Sequence, residues 1–192
     1  MLFRSVISDM VGKVGKGMPE WFTYAKARAS FAQVGNDMDA YQLYNTYSIG
    51  SDPNGNTTAG QGKTKYDADV RSELITSWEA GAELKFFNNR LGVDFAWYKT
   101  NAKRQLMNIP LNNLSGYDNM KVNAGNIQNT GIEIMLNARP IETAQFSWDT
   151  QLNFSQNKSK IIELLPGKPG MQYALGGSDA LQVYAVAGGA YG

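Results

Sequence analysis

The stretch from Ala80 to Lys99, AGAELKFFNNRLGVDFAWYK, alternates apolar and polar side chains, turns at two asparagines and alternates again on the way back. A period of two sends successive side chains to opposite faces of a strand, so one face is apolar along its length and needs a cover. Asparagine tolerates the left-handed backbone that a two-residue hairpin loop requires, so Asn88-Asn89 fits such a loop and pairs Phe87 with Arg90. That register sets Phe86 against Leu91, Leu84 against Val93, Ala82 against Phe95 and Ala80 against Trp97 on one face. Glu79, Gly81, Glu83, Lys85, Asp94 and Tyr98 take the other. A slip of one residue would mix the two sets, so the register is sharply specified.

The design recurs along the chain. Ile132, Ile134, Leu136 and Ala138 alternate with Glu133, Met135, Asn137 and Arg139. After a short link at 140–145, Phe146, Trp148, Thr150, Leu152 and Phe154 alternate with polar partners, completing a second hairpin. Upstream, Thr23, Ala25, Ala27, Ala29 and Phe31 oppose Tyr24, Lys26, Arg28 and Ser30, and residues 3–14 are a poorer sixth candidate. Two links, 88–89 and 140–145, are short. The segments 36–75, 102–129 and 158–192 are long, polar and rich in Gly, Asn, Ser and Tyr, and read as loops.

An all-β chain of this kind covers its apolar face with a second sheet, as in a soluble sandwich, or with lipid, as in an antiparallel up-and-down transmembrane β-barrel. Strands at 76–86 and 91–101 approach the roughly 9–11 residues that a tilted strand needs to cross a bilayer. Short links at one end and long loops at the other also suit the barrel. Phe86, Phe87, Phe146 and Trp148 lie beside the short links, and Trp78, Trp97 and Tyr98 toward the long ones, as two interfacial girdles would. The alternative is a soluble all-β carbohydrate-binding module or structural β-sandwich.

Composition removes other classes. The chain has neither cysteine nor histidine, which excludes disulfides, the usual zinc ligand sets and catalytic arrangements built on Cys or His. Its 18 Lys and Arg are balanced by 17 Asp and Glu, so there is no electrostatic footprint for nucleic acid. Nothing in the sequence points to an enzyme or calls for a cofactor. The first residues lack the pattern of a secretory signal, and no apolar run is long enough for a transmembrane helix.

Four stretches carry a family resemblance: PEWFTYAKARASFAQVGND (19–37), SWEAGAELKFFNNRLGVDFAWYKTN (77–101), VNAGNIQNTGIEIMLNARPI (122–141) and FSWDTQLNFSQNKSKIIEL (146–164). In this order and spacing they resemble the SusC/RagA-type TonB-linked outer-membrane proteins of Bacteroidetes, and VYAVAGGAYG (183–192) is similar to that family's Gly-rich approach to a next strand. The resemblance implies part of a plugged barrel of about 22 strands. It further implies import of glycans, oligopeptides or other large nutrients, a SusD-like surface lipoprotein as lid, and energy from TonB–ExbB–ExbD. Five or six strands cannot close a barrel, since the smallest use about 8. Residues 1–192 are therefore expected to be a partial barrel domain, with signal peptide, plug, TonB box and final strands outside them.

The barrel reading points Lys26, Arg28, Glu79, Glu83, Lys85, Asp94 and Arg139 into the lumen. Glu83 and Asp94 are directly opposed like charges, unfavourable unless a neighbouring strand or plug supplies a cation; a Lys or Arg from outside this segment is one expected source, and solvated lumenal charge is the alternative. Asn36, Asp37, Tyr41, Tyr44, Tyr47 and Tyr117 lie in presumed external loops, where aromatic faces and amides could meet substrate or lid. Loop–loop packing serves such residues equally well. Asp52-x-Asn54-x-Asn56 starts like a calcium loop, but Thr57 stands where Gly is needed and Lys63 where the bidentate Glu belongs. A turn cluster is the better reading, and no metal site is assigned.

Overall fold

The computed structural model describes residues 1–7, 19–37, 44–178 and 180–190. The elements that lie wholly within the described residues are strands and one 3₁₀ turn, Asn113–Ser115. The strands are β1 (Leu2–Val6), β2 (Phe22–Asn36), β3 (Tyr47–Ser51), β4 (Thr57–Gln61), β5 (Thr64–Tyr66), β6 (Glu73–Phe86), β7 (Leu91–Pro110), β8 (Asn119–Glu142), β9 (Ser147–Glu163), β10 (Gln172–Ser178) and β11 (Leu181–Val186). The main sheet runs β1-β2-β6-β7-β8 with β9 paired to β8, and β3–β4 and β10–β11 are separate antiparallel hairpins. The short β5 joins the main sheet by pairing parallel with β8, Thr64 to Asn119 through Tyr66 to Lys121. That contact departs from the purely antiparallel expectation.

Contacts divide the chain into two compact units. The first comprises Met1–Gln33, Thr76–Asn101 and Gln128–Ser159. Its β6–β7 turn follows the asparagine pair: Asn88 and Asn89 have φ of 54° and 68°, and the Arg90 N–H donates to the Phe87 carbonyl at 3.1 Å. Phe87 has positive φ as well, 52°, so the left-handed backbone starts one residue before the asparagine pair and the turn runs from Phe87 to Arg90 between β6 and β7. The register that pairs Phe86 with Leu91 also pairs Ser77 with Thr100, and their hydroxyls lie 3.2 Å apart. The second short link is tighter than expected, because β8 continues through Glu142 and the Thr143 N–H donates to the Phe146 carbonyl. β1 pairs with β2 from Leu2↔Ser30 to Val6↔Lys26, so the sixth candidate begins as a strand; its residues 8–14 lie outside the described residues.

This unit is a single layer among the described residues, all its strands belonging to one sheet. Large apolar side chains stay open, including Trp78, Phe95, Trp148, Leu152 and Phe154. Small Ala25 is buried, but no large side chain of the unit's apolar rows is. A sandwich would bury such a face against a second sheet about 10 Å away, and none is present here. Aromatic rings gather at two places: Trp21 stacks on Phe86 at 6.0 Å with Phe22 beside it, and Phe31 packs on Trp78 at 4.5 Å.

The second unit comprises Val34–Ile75, Ala102–Ile127 and Lys160–Gly192. Here the segments read as loops are largely strand. β7 continues to Pro110 and β8 begins at Asn119, which shrinks the expected 102–129 loop to 111–118, closed by the Leu111 N–H donating to the Asp118 carbonyl. These extensions are held by the backbone ladder, which needs no alternation, and a strand without one buried face writes no period into its sequence. A small core forms where the β10–β11 hairpin meets the end of β9: Ile161, Leu164 and Ala185 are buried, with Tyr173 packed against them. The Ile161 backbone bonds the Gly188–Gly189 turn in both directions.

Candidate functional site

On the polar face of the first unit, six of the seven expected lumenal charges meet. Lys26 on β2 reaches Glu83 at 3.2 Å, and Lys85 reaches the other oxygen of Glu83 at 3.3 Å. Arg28 grips Asp94 with two hydrogen bonds, 2.7 and 3.0 Å, and lies 3.8 Å from Glu79. Three cations thus face three carboxylates in one partly exposed network, which leaves the patch locally neutral. The opposed Glu83 and Asp94 each meet cations on β2 and β6 of this same stretch. Because β2 lies next to β6, its side chains hang over the β6–β7 pair.

The Arg28–Asp94 bond has to pass over β6, and Gly81 makes room for it. A Cβ at Gly81 would stand 2.7 Å from Arg28 Nε and 2.8 Å from the Phe95 carbonyl. The arrangement is repeated one strand along: Tyr98 on β7 lies over Gly131 of β8, where a Cβ would collide with the ring, and its hydroxyl donates to Asn157 on β9 at 3.4 Å. Tyr98 therefore serves as a cross-strand tie on the polar face, not as a girdle residue. Arg139 stands apart from the network. It pairs with Asp149 at 2.6 Å and Glu142 at 3.3 Å, beside the two short turns, where Arg90 also approaches Glu142 at 3.9 Å.

The loop residues expected near substrate do not converge. Asn36 donates its amide to Glu73 at 2.9 Å, and Asp37 accepts from Ser72 at 3.4 Å. Tyr44 and Tyr47 are well exposed, whereas Tyr117 is half-buried beside Ser115. Tyr41 lies outside the described residues. In the 52–56 turn the Asp52 carboxylate accepts the Asn54 and Asn56 N–H groups at 2.9 and 2.8 Å and the Asn56 amide at 2.9 Å. Those bonds, the Asn56 side chain first, hold its pKa below the ordinary carboxylate value. The oxygens that would start a calcium loop thus serve as the internal cap of a turn.

A concavity that the sequence did not announce lies in the second unit. About 500 Å³ in volume, it is lined by groups that include Glu73, Met107, Lys121, Ile127, Ile161 and Tyr173. These residues come from β6, β7, β8, β9 and β10, all six in segments read as loops, so no spacing in the sequence connects them. Only the polar face of β6 and β7, with its opposed acids, was legible beforehand.

Comparisons with known proteins agree with this architecture. The family profile described as TonB dependent receptor-like, beta-barrel matches residues 18–186. TonB-dependent receptor P39 of Formosa agariphila is 32% identical over 72% of this chain and 13% of its own length. TonB-dependent receptor SusC of Bacteroides thetaiotaomicron is 28% identical over 90% of this chain and 17% of its own length. The chain thus spans less than a fifth of these relatives. Among solved structures, the RagAB peptide importer in its open-open state superposes with a TM-score of 0.73 at 19% identity, over 90% of this chain and 18% of that one. At that identity the likeness speaks for the fold alone. With a profile match over residues 18–186, the chain belongs to the TonB-dependent receptor-like β-barrel family.

Proposed function

We propose that residues 1–192 form part of the wall of an outer-membrane, multi-pass β-barrel that imports large nutrients such as glycans or oligopeptides. Strands outside these residues complete the barrel. In this reading the polar face with its ion network lines the lumen, and the face bearing Leu84, Phe86, Val93 and Phe95 meets lipid. The observation that carries it is the single-layered first unit, where Trp78, Phe95, Trp148, Leu152 and Phe154 lie open, Leu84, Phe86 and Val93 are half-buried, and the charges are paired on the other side. Lipid supplies the cover that a soluble protein would have to build. The chain's part in this is structural and conductive, with no catalysis of its own.

The similarity to SusC and to the RagAB importer supports a SusD-like surface lipoprotein as lid and TonB–ExbB–ExbD as energy source, engaged through segments outside this stretch. Exposed Tyr44 and Tyr47 are available to that lid or to substrate. Fractionation of cells making the full-length protein tests the reading. Recovery in the outer membrane, solubility only in detergent and heat-modifiable migration support it. Recovery in the aqueous fraction would return the sequence to the soluble sandwich.

A further inference from the structure

Alternation with a period of two excludes a slip of one residue between neighbouring strands, but a slip of two keeps every side chain on its face. Short turns exclude the larger slip at β6–β7 and β8–β9, whereas β2 reaches β6 through residues 37–72 and β7 reaches β8 through 111–118. Hydrogen bonds show one register for each of these two pairings. Lys26 donates to Glu83 at 3.2 Å and the Gln33 amide to Thr76 at 3.5 Å, which sets Arg28 opposite Gly81. The Arg139 N–H donates to the Arg90 carbonyl at 2.7 Å and the Gln128 amide to Asn101 at 3.3 Å, which sets Tyr98 opposite Gly131.

Both places carry the same three-strand arrangement. A long side chain lies over the glycine of the next strand and ends on a polar group of the strand beyond, Arg28 on Asp94 and Tyr98 on Asn157. The third strand also crowds the glycine with a carbonyl oxygen: that of Phe95 is 2.8 Å from a Cβ at Gly81, and that of Gln156 is 2.7 Å from one at Gly131. A slip of two would set Arg28 against Glu79 or Glu83, and Tyr98 against Asn129 or Glu133, whose side chains fill the space that glycine leaves. We propose that Gly81 and Gly131 are register notches, through which Arg28 and Tyr98 select the one alignment of β2 with β6 and of β7 with β8 that alternation and turns leave open. Side chains packed over glycines pin register in this way. The assignment concerns how the wall is built and goes beyond what the barrel imports.

Disulfide trapping with a membrane-permeant oxidant, in the full-length protein cleared of other cysteines, tests the assignment. Cysteine pairs at Ala27 with Ala82 and at Gly92 with Asn137 report the native alignments; a Cβ at Gly92 stands 3.9 Å from that of Asn137, within disulfide reach. Pairs at Ala27 with Ala80 or Leu84, and at Gly92 with Met135 or Arg139, report a slip of two in either direction. Without further substitution only the native cross-links are expected. In Arg28→Ala the slipped β2–β6 product, and in Tyr98→Ala the slipped β7–β8 product, should rise roughly tenfold or more, the factor that goes with one charge-assisted hydrogen bond. Tyr98→Phe, which keeps a ring over the notch, should stay native, and so should Arg139→Ala, which removes an ion pair from the turn-held β8–β9 pairing. Should either alanine variant fail to assemble, Arg28→Met or Tyr98→Leu takes its place. Native cross-links alone would overturn the notch concerned, and slipped product just as abundant in Arg139→Ala would overturn both. The cross-links are read in whichever cell fraction holds the protein, so they decide the notches apart from the importer reading.

Discussion

Arg28 on β2 and Asp94 on β7 are joined by two hydrogen bonds that span the intervening strand β6 above Gly81. The geometry ties three strands with one side chain, and it exists only because the middle strand has no Cβ at the crossing. Paired donors and acceptors of opposite charge are stronger than neutral ones and fix direction as well as distance.

Removing either part of this tie should weaken the wall. Arg28→Ala is expected to cost about 1–3 kcal/mol, the range for hydrogen bonds to charged groups, with the lower part favoured because the pair is partly exposed. Gly81→Ala should also destabilise, since its methyl group meets both the guanidinium and the Phe95 carbonyl. The double variant should cost less than the two losses added together, because the guanidinium is no longer there to clash. Urea unfolding in detergent micelles measures the cycle, and strict additivity would show that the two sites do not interact.

The β6–β7 turn offers a second check. Asn88 occupies φ of 54°, where a β-branched side chain is strained by about 1–2 kcal/mol. Asn88→Val should therefore lower the thermal midpoint, whereas Asn89→Gly should hold or raise it, because glycine enters this region freely. Differential scanning calorimetry of the two variants reads both signs.

The 52–56 turn should loosen in acid. Asp52 titrates below its ordinary value in the folded turn, so the stabilisation it gives is complete above about pH 3.9, the unfolded value, and is lost as pH falls through the lower folded one. Chemical shifts of the Asn54 and Asn56 amide protons, followed from pH 6 to pH 2, should move together in that acid window. In Asp52→Ala they should show no such transition.

How much of this was legible depends on what each segment buries. The register of the hairpin around Asn88 was readable, because Leu84, Phe86, Val93 and Phe95 alternate with charges; that Phe87 also enters the left-handed region was not. The need for a cation near Glu83 and Asp94 was readable too. Its source was not, because the pairing of β2 with β6 crosses a long connection whose length carries no register. The extensions 102–110 and 119–127 read as loops in the sequence because polar side chains such as Lys103, Arg104, Asn123 and Asn126 interrupt any alternation. Gly81 and Gly131 read as gaps in a pattern until the side chains lying over them were seen.

The central claim is that one face of this sheet meets lipid and the other meets water. Single cysteines can be placed at Leu84, Val93, Lys85 and Asp94 of a full-length protein cleared of other cysteines, in native outer membranes. A fluorophore attached at each position, challenged with lipid-borne and with aqueous quenchers, reads the exposure directly. Quenching by lipid at Leu84 and Val93, with aqueous quenching at Lys85 and Asp94, is the predicted result. Aqueous quenching at Leu84 and Val93 equal to that at Lys85 and Asp94 would contradict the account.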